Sequence, residues 1–369
     1  MQIQATKKLL DRLPVEVVEV TEGNPLYDWH ANLVTIHRRQ VVVLMNDLTR
    51  YVIVLYGVKA KDFNRFDEVV KEAIRHVFQK ERFSSTVIDN YIDALGTVTF
   101  HKTKNRTMTS WLKKAVEHVQ ILEDEITTKT LINDAVSMIA SRFLVGGANG
   151  SLVPYEALVE ALGNITKASL FQSDVAVLHI SLELENHVIW RKLVVPLDLS
   201  FKDFHNVLQA AFNWNNTHLH EYYFFNVKDE ERAMQRTFVK PIQNIVMDER
   251  FLSDGMNGVE MLLEEGLSLA DYIPNHRYMQ YIYDFGDHWV HSIVVEEVLY
   301  GQNIGAPKCI DWKGIAPPED CGGEPGFDTF VSIVNDKTHP ENKEITSWGE
   351  IQGYQRFNLD LVNQQLSEF

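Results

Sequence analysis

Residues 175–195 read VAVLHISLELENHVIWRKLVV. Every second side chain from Ala176 to Leu184 is apolar, and a period of two is typical of a β-strand that buries one face. Asn186-His187 is the predicted turn, so Ile189 to Val195 is expected to return as the second strand of an antiparallel hairpin.

A helix and further strands are predicted after this hairpin. Ser200 is placed to cap a helix whose apolar face carries Phe201, Phe204, Leu208, Ala211 and Phe212. Further strands are predicted over His218 to Asn226, Tyr278 to Tyr283 and Trp289 to Val298, with helices around 327–334 and 359–366. An acidic, weakly periodic insertion occupies residues 228–276. Because strands and helices do not alternate regularly, the pattern favours an α+β domain with a mostly antiparallel sheet.

The rest of the chain divides into two more segments. Residues 1–122 combine β-branched runs with three amphipathic helical patterns, which predicts a separate α+β domain. Residues 123–172 are predicted to be a helical linker, and its Gly146-Gly147-Ala148-Asn149-Gly150 cluster is expected to be a flexible break. The predicted domains are therefore 1–122 and 173–369.

Composition limits the partners of the protein. The 369 residues include 35 Lys and Arg against 51 Asp and Glu, a net charge of -16, so nucleic acid is disfavoured as a partner without a local basic patch. The candidate patch is Lys102, Lys104, Arg106, Lys113 and Lys114, for which a solvated surface is the alternative. Two cysteines, no apolar leader and no long apolar stretch predict a cytoplasmic protein without a membrane partner.

Two motifs mark a candidate site. Residues 281–291 read YIYDFGDHWVH and residues 317–323 read PPEDCGG. Carboxylates and imidazoles are costly to bury unless they are paired or bind a ligand. The two motifs and the polar and aromatic residues of the preceding strands supply the candidates for a binding pocket. These candidates are Trp190, Arg191, His218, His220, Tyr222, Asp284, Asp287, Trp289, His291, Glu319, Asp320 and Cys321.

Three histidines are candidates for a metal site. His218 and His220 lie on one face of a predicted strand, and His291 lies on another strand. If the strands are neighbours, these imidazoles and Asp287 form a ligand set for zinc or manganese. A hydrogen-bonded network or a metal-free pocket explains the same residues, and the spacing is not a known ligand signature.

Cys321 and Arg191 each allow two interpretations, whereas the position of His205 favours one. Cys321 is a nucleophile only if a base such as His291 lies beside it, and otherwise a small buried thiol. Arg191 is expected to pair with Asp287 or Asp320, or to bind a ligand carboxylate or phosphate. His205 lies on the apolar face of its helix, which favours a hydrogen-bonded core histidine.

The second half of the chain resembles a known family. Its matching segments are Ile189-Trp190-Arg191, His205, Trp214, residues 218–222, residues 283–287, Trp289, His291 and residues 317–323, and in this order they resemble the plasmid pRiA4b ORF-3-like family. That resemblance implies a bacterial, mobile-element setting but no established activity. Ala316 stands where members of this family often have a further cysteine, which disfavours a zinc site of three thiolates.

The first domain resembles an uncharacterised bacterial domain family. The resemblance rests on Thr6-Lys7-Lys8-Leu9, residues 28–32 (Asp-Trp-His-Ala-Asn) and residues 102–106 (Lys-Thr-Lys-Asn-Arg), in that order.

Three functional hypotheses follow. The first is a two-domain binding protein whose C-terminal pocket holds a protein or small-molecule ligand. The alternative is a metal-dependent hydrolase, with His218, His220, His291 and Asp287 as ligands and Glu319 or Asp320 as the base. The second alternative is a nucleic-acid accessory factor that uses the basic patch, and the sequence does not decide whether the protein is an enzyme.

Overall fold

The chain folds as two units, residues 1–172 and residues 173–369. The computed structural model describes residues 1–147, 150–234, 239–252 and 259–369. The strands of the first unit are β1 (Gln2–Ala5), β2 (Trp29–Ile36), β3 (Arg39–Asn46), β4 (Val52–Tyr56), β5 (Thr99–Lys102), β6 (Val145–Gly147) and β7 (Gly150–Leu152). Its helices are α1 (Lys7–Leu10), α2 (Ala60–Phe63), α3 (Phe66–Lys80), α4 (Ser85–Leu95), α5 (Arg106–Ile121), α6 (Asp134–Arg142) and α7 (Pro154–Ile165).

Helices cover both faces of the main sheet in the first unit. Its strand order is β4-β3-β2-β1-β5, with β1 parallel to both of its neighbours and the other pairs antiparallel. Leu44 and Ile53 pack toward Val70 and Ile74 of α3 on one face. On the other face the core is built from β3, β4, α5 and α6. Because both faces are buried, β3 and β4 are continuous apolar runs rather than alternating ones.

Residues 123–172, predicted to be a helical linker, contain α6 and α7 and belong to the first unit rather than forming a separate segment. Ser137 and Ser141 of α6 accept hydrogen bonds from the backbone N–H groups of Val54 and Val52, each at 2.9 Å. These hydroxyls supply hydrogen-bond acceptors to backbone N–H groups on the edge of β4 that has no neighbouring strand in the described structure. The predicted glycine break forms the β6–β7 hairpin, with Ala148 and Asn149 outside the described residues.

The second unit contains the longer sheet. Its strands are β8 (Ser173–Leu182), β9 (Ile189–Pro196), β10 (His220–Phe224), β11 (Gln243–Val246), β12 (Glu260–Leu263), β13 (Tyr278–Tyr283), β14 (Trp289–Gln302) and β15 (Lys308–Lys313). Its helices are α8 (Phe201–Phe212), α9 (Glu230–Met234), α10 (Gly323–Asn335), α11 (Asn342–Ile351) and α12 (Leu359–Leu366). In the described residues the strand order is β12-β11-β10-β13-β14-β8-β9-β15, antiparallel except between β11 and β12. The predicted α+β class, with its hairpin, helix and mostly antiparallel sheet, is confirmed.

The hairpin and helix of the second unit bury the faces that their sequence predicts. On β8, Ala176, Leu178 and Ile180 are fully buried, while α8 packs Phe201 and Phe204 against the same core. Ser200 caps α8 by accepting a hydrogen bond from Asp203 N–H at 3.0 Å, and Asn213 ends the helix in the left-handed conformation.

Helices in the described part of the chain all lack the combination of length and hydropathy that crossing a bilayer requires.

Candidate functional site

His218 faces three carboxylates. The residue lies in the loop between α8 and β10, because the strand begins at His220 rather than at the predicted His218. Its Nε2 lies 3.1 Å from Oδ1 of Asp320, 3.6 Å from Oδ2 of Asp284 and 3.6 Å from Oε2 of Glu319. None of these three contacts has hydrogen-bond geometry, so this buried nitrogen lacks a hydrogen-bond partner among the described residues. We call His218, Asp284, Glu319 and Asp320 the acidic cluster.

Tight backbone turns place two of these carboxylates. Asp284 and Asp320 have φ of 56° and 57°, a left-handed conformation that Asp tolerates better than most residues do. Oδ1 of Asp284 accepts a hydrogen bond from Gly286 N–H at 2.8 Å, which leaves Oδ2 to face His218. Asp320 is more than half exposed and Asp284 is buried, so the cluster runs from the protein interior to the surface.

Glu319 is the buried anchor of the cluster, with 1% of its surface exposed. Its Oε1 accepts hydrogen bonds from Asn215 N–H at 2.8 Å and from the Tyr283 hydroxyl at 3.1 Å. The same hydroxyl accepts from Thr217 N–H at 3.0 Å. Burial, and then the Glu319 charge, raise the pKa of Tyr283, so its phenol keeps the proton that it donates. Glu319 is thus held in one orientation by the loop between α8 and β10 and by Tyr283 of β13.

Asp287 connects the two loops of the cluster but does not join it. Its Oδ2 accepts a hydrogen bond from Gly322 N–H at 3.1 Å. Gly323 has φ of 67°, and a Cβ there would lie 3.1 Å from the Asp287 carbonyl oxygen. Asp287 therefore positions the loop that carries Glu319 and Asp320, a role different from the metal ligand predicted by the sequence.

His220 belongs to a second polar group, inside the core. Its Nε2 lies 2.9 Å from Oε2 of Glu264, and its ring stacks on His205 with centroids 3.6 Å apart. His205 in turn contacts the Tyr281 hydroxyl at 2.7 Å and Oδ1 of Asn216 at 2.6 Å. Burial, and then the neighbouring His220, lower the pKa of His205 to about 3. His205 is thus the hydrogen-bonded core histidine that its position favours.

His291 is fully buried against Phe212, Trp214 and Tyr281. In the described structure neither of its ring nitrogens has a hydrogen-bond partner. Desolvation lowers the pKa of His291 to about 3, although backbone groups of Tyr281 and Trp289 oppose part of the shift.

The predicted set of His218, His220, His291 and Asp287 is therefore not one metal site. In the residues that the structure describes, the group able to hold a cation is His218, Asp284 and Asp320, whose ligand atoms lie within 4.8 Å of one another.

The remaining candidates lie outside the acidic cluster. Arg191 donates to backbone carbonyls and has no ion pair with Asp287 or Asp320 in the described structure. Trp190 contacts His179, while Tyr222 and Trp289 are buried in the core, Tyr222 donating to the Phe201 carbonyl at 3.1 Å.

Cys321 is not placed to act as a nucleophile. Burial, and then Asp287, raise the pKa of its thiol to about 12. His291, the base that a nucleophilic Cys321 would need, lies in the aromatic core. A protonated thiol without a base is a poor nucleophile.

The basic patch of the first unit is partly neutralised. Lys104 forms an ion pair with Glu19, and Lys113 lies 3.7 Å from Glu117. The ammonium of Lys114 lies over the Trp111 ring, 5.0 Å from its centroid. These internal partners leave fewer cations for phosphate contacts than the sequence suggests.

A cavity of about 440 Å³ opens beside the acidic cluster. It is lined by Asn216, Thr217, His218, Leu219, Met247, Asp284, Phe285 and Gly286. Phe285 is 42% exposed, so the cavity offers an apolar contact next to the carboxylates. Its volume is in the range of small-molecule sites, roughly 300–1,000 Å³.

A family model matches the unit that carries this site. Residues 174–365 match the model of the plasmid pRiA4b ORF-3-like protein family, which is more than half of the 369 residues. The chain belongs to this family. Residues 2–157 match a second model, the domain of unknown function DUF6933, in agreement with the resemblance of the first unit.

Two relatives are each similar to about half of the chain. The uncharacterized protein y4hQ of Sinorhizobium fredii (strain NBRC 101917 / NGR234) is 29% identical over 175 residues, which cover 46% of this chain and 78% of that protein. The crystal structure of the protein of unknown function MM3350 from Methanosarcina mazei Go1 is 26% identical with a TM-score of 0.41, over 51% of this chain and 97% of that one.

Several residues around the ORF-3-like site were not predicted. Asn215 and Thr217 hold Glu319 and Tyr283 through backbone N–H groups, and the run of polar residues after Trp214 is the signal that marks this loop. Glu264, the partner of His220, lies in the insertion over 228–276, where weak periodicity gives no indication of it. That insertion supplies α9, β11 and β12.

The buried histidines predict acid sensitivity of the ORF-3-like unit. His291 has a folded-state pKa near 3 and an ordinary value near 6.5, so the unfolded chain takes up the proton first. Stability is therefore lost as the pH falls below about 6.5, and the loss grows until about pH 3. Between pH 6.5 and 5, His291 alone accounts for about 2 kcal/mol. We expect His291→Phe to reduce the change in unfolding free energy between pH 7 and pH 5, measured by urea denaturation.

His187→Phe is the control for this measurement. His187 is partly exposed and lies 2.7 Å from Oδ1 of Asp328, so its replacement is not expected to reduce the loss of stability in acid. An unchanged pH dependence in His291→Phe would contradict the prediction.

Proposed function

We propose that the second unit binds one divalent metal ion at the acidic cluster and uses it to hydrolyse a small substrate in the adjoining cavity. The observation that carries the proposal is the buried Nε2 of His218, which lacks a hydrogen-bond partner in the described structure and faces three carboxylates. The fold provides one imidazole nitrogen and several carboxylate oxygens around one point, which is a ligand set for a divalent cation.

Charge favours a cation at this point. Asp284, Glu319 and Asp320 all approach Nε2 of His218 within 3.6 Å, so their negative charges repel one another. A protonated imidazole balances one of these charges, whereas a divalent ion balances two. Ligand sets rich in oxygen suit magnesium and manganese, and the imidazole favours manganese over magnesium.

The surroundings of the cluster suit hydrolytic chemistry. A bound divalent ion lowers the pKa of a coordinated water and polarises a carbonyl or phosphoryl oxygen. Asp320 is the exposed carboxylate among the three possible ligands and lies at the surface end of the cluster, where water and a substrate would reach a bound ion. Glu319 is held rigidly by Asn215 and Tyr283, which fixes the ligand geometry.

Metal titration of the full chain tests the proposal. We expect one equivalent of Mn²⁺ to bind and to raise the melting temperature of the second unit, because a ligand that binds only the folded state stabilises it. His218→Ala is expected to weaken binding by at least about 100-fold, the upper end of what losing an outer-shell partner costs. Calorimetry with Mn²⁺, Zn²⁺ and Mg²⁺ measures the affinity and the preference among the three ions.

His187→Ala is the matched control, because His187 also contacts a carboxylate but lies outside the cluster. Its Mn²⁺ affinity is expected to equal that of the wild type. Hydrolysis of p-nitrophenyl phosphate and p-nitrophenyl acetate, with and without Mn²⁺, then tests the reaction, and Asp320→Asn should reduce any metal-dependent rate. A wild type that binds none of the three ions, or a His218→Ala variant that binds them unchanged, would refute the metal site.

A further inference from the structure

A second cavity of the second unit contains a buried arginine. Arg191 lies on β9 between Ile189 and Leu193, at a position where the alternation of the strand points the side chain into the core. Only 1% of its surface is exposed. Arginine is rarely buried to this extent unless it is paired.

The hydrogen bonds of Arg191 go to neutral groups. Its Nε donates to the Ala211 carbonyl at 2.7 Å, and its Nη1 donates to the carbonyls of Trp190, Lys313 and Gly314 at 2.9, 3.1 and 3.2 Å. Gly314 has φ of 77°, and a Cβ there would lie 2.6 Å from the Val188 carbonyl oxygen, so only glycine allows this approach. The guanidinium also lies over the rings of Phe212 and Phe357, 4.9 and 4.2 Å from their centroids.

One end of the guanidinium remains available. Across the described residues, Nη2 makes no hydrogen bond and Arg191 has no carboxylate within ion-pair distance. Burial lowers the pKa of Arg191 to about 10, so the group keeps its charge at neutral pH. A buried charge with only dipoles around it is a costly arrangement that an anion would relieve.

The cavity beside Arg191 has room for such an anion. Its volume is about 460 Å³, and its lining combines Arg191 and the exposed Arg356 with apolar side chains of Phe357 and Leu361. Asn213 adds an amide to the wall, while Glu368 is the acidic side chain among the lining residues. Cations at one place and apolar carbons at another are the features of a site for a small amphipathic anion.

We infer that this cavity binds a small organic anion, whose carboxylate or phosphate group pairs with Nη2 of Arg191 while its apolar part lies against Phe357 and Leu361. Arg356 attracts the anion at the mouth of the cavity. This site is separate from the acidic cluster, although residues 315–320 supply both: Ile315 and Ala316 line the cavity, and Glu319 and Asp320 belong to the cluster.

Calorimetry on the full chain with three probes at constant ionic strength tests the inference. Inorganic phosphate, benzoate and phenyl phosphate distinguish the headgroup from the apolar part. We expect phenyl phosphate or benzoate to bind at millimolar concentrations or below, and the tighter of the two identifies the headgroup. Arg191→Lys keeps the charge but removes the planar fork, and should weaken binding about tenfold or more. Arg356→Gln should weaken it several-fold.

Lys337→Gln is the matched control, since it removes one exposed cation outside the cavity lining and should leave the affinity unchanged. If Arg191→Lys does not fold, Arg356→Gln decides the matter: unchanged affinity in that variant overturns the inference. The inference is also overturned if the folded wild type binds none of the three probes, or if Arg191→Lys binds them as the wild type does.

Discussion

Glu81→Gln is expected to lower the unfolding free energy of the first unit by about 3 kcal/mol. Removing one partner of a buried ion pair typically costs 3–5 kcal/mol, because the other charge stays buried without compensation. The lower end applies here, since the Arg142 side chain keeps 17% exposure and reaches some solvent. Urea denaturation at pH 7, followed by a probe of the first unit, measures the change.

The geometry around Glu81 explains the size of this effect. Arg142 of α6 donates to both carboxylate oxygens, at 2.9 and 2.8 Å, and the buried Tyr51 hydroxyl donates to Oε1 at 2.5 Å. Burial alone would lower the pKa of Arg142, but the Glu81 carboxylate more than offsets this and raises it. The pair also joins α6 to the end of α3, so it connects a helix of residues 123–172 with the main core.

Glu72→Gln is the matched control. Glu72 forms the same two-point contact with Arg65, at 2.9 and 3.1 Å, but both side chains are about half exposed. Water and salt screen such a pair, so its loss should change stability by no more than about 1 kcal/mol. Similar effects of the two substitutions would show that burial does not set the strength of the Glu81 pair. The triple variant Glu81→Leu, Arg142→Met, Tyr51→Phe should recover most of the loss, because it removes both charges and the buried hydroxyl that would otherwise lose its acceptor.

Sequence alone predicts those parts of the fold that a local sequence pattern specifies without ambiguity. The alternation in β8, the return of the chain as β9, the Ser200 cap and the apolar face of α8 are all local signals, and all appear in the structure. For residues 123–172, the glycine and acidic composition indicates flexibility and gives no sign of the unit to which they belong. Contacts with residues far away in the sequence keep this segment in the first unit: Ser137 and Ser141 bond to β4, Arg142 pairs with Glu81, and apolar residues of α6 and α7 pack into the cores.

The site shows the same division between local and distant signals. The two motifs that bear Asp284, Glu319 and Asp320 do meet, and His218 meets them, as the density of acids in those motifs suggests. His220 and His291 share a sheet face, as their strands predict, but α8 covers that face and both rings are in the core. Strand alternation gives the face of a side chain, whereas the element that packs on that face decides whether an imidazole reaches solvent or an ion.

The second large effect is expected from Gly326→Ala, which adds one methyl group behind the acidic cluster. Gly326 lies in the first turns of α10, and an ideal Cβ there would lie 1.8 Å from the carbonyl oxygen of Cys321 and 2.7 Å from its carbonyl carbon. Because the clash is with backbone, no side-chain rotation relieves it. Overpacking typically costs 1–3 kcal/mol, and we expect about 3 kcal/mol here.

The same substitution should weaken the proposed metal site. Cys321 directly follows Asp320, and the neighbouring Gly322 N–H holds the loop to Asp287 at 3.1 Å. Moving the Cys321 carbonyl therefore shifts Asp320 and Glu319 relative to His218. We expect Mn²⁺ affinity to fall at least about tenfold, as it does when an outer-shell contact is lost. Urea denaturation gives the stability change, and calorimetry gives the affinity.

Gly163→Ala is the control, since Gly163 is also inside a helix, α7, but a Cβ there meets nothing within 4 Å. That change should stabilise its unit by about 0.4–1 kcal/mol, because alanine restricts the unfolded chain and favours the helix. If the two substitutions change the unfolding free energy in opposite directions, the loss in Gly326→Ala comes from the contact with Cys321 and not from placing alanine in a helix. If Gly326→Ala keeps both stability and Mn²⁺ affinity, the loop from Glu319 to Gly322 moves without cost and does not fix the carboxylates. A loss of stability in a chain that binds no metal would leave the packing argument intact and reject the metal site alone.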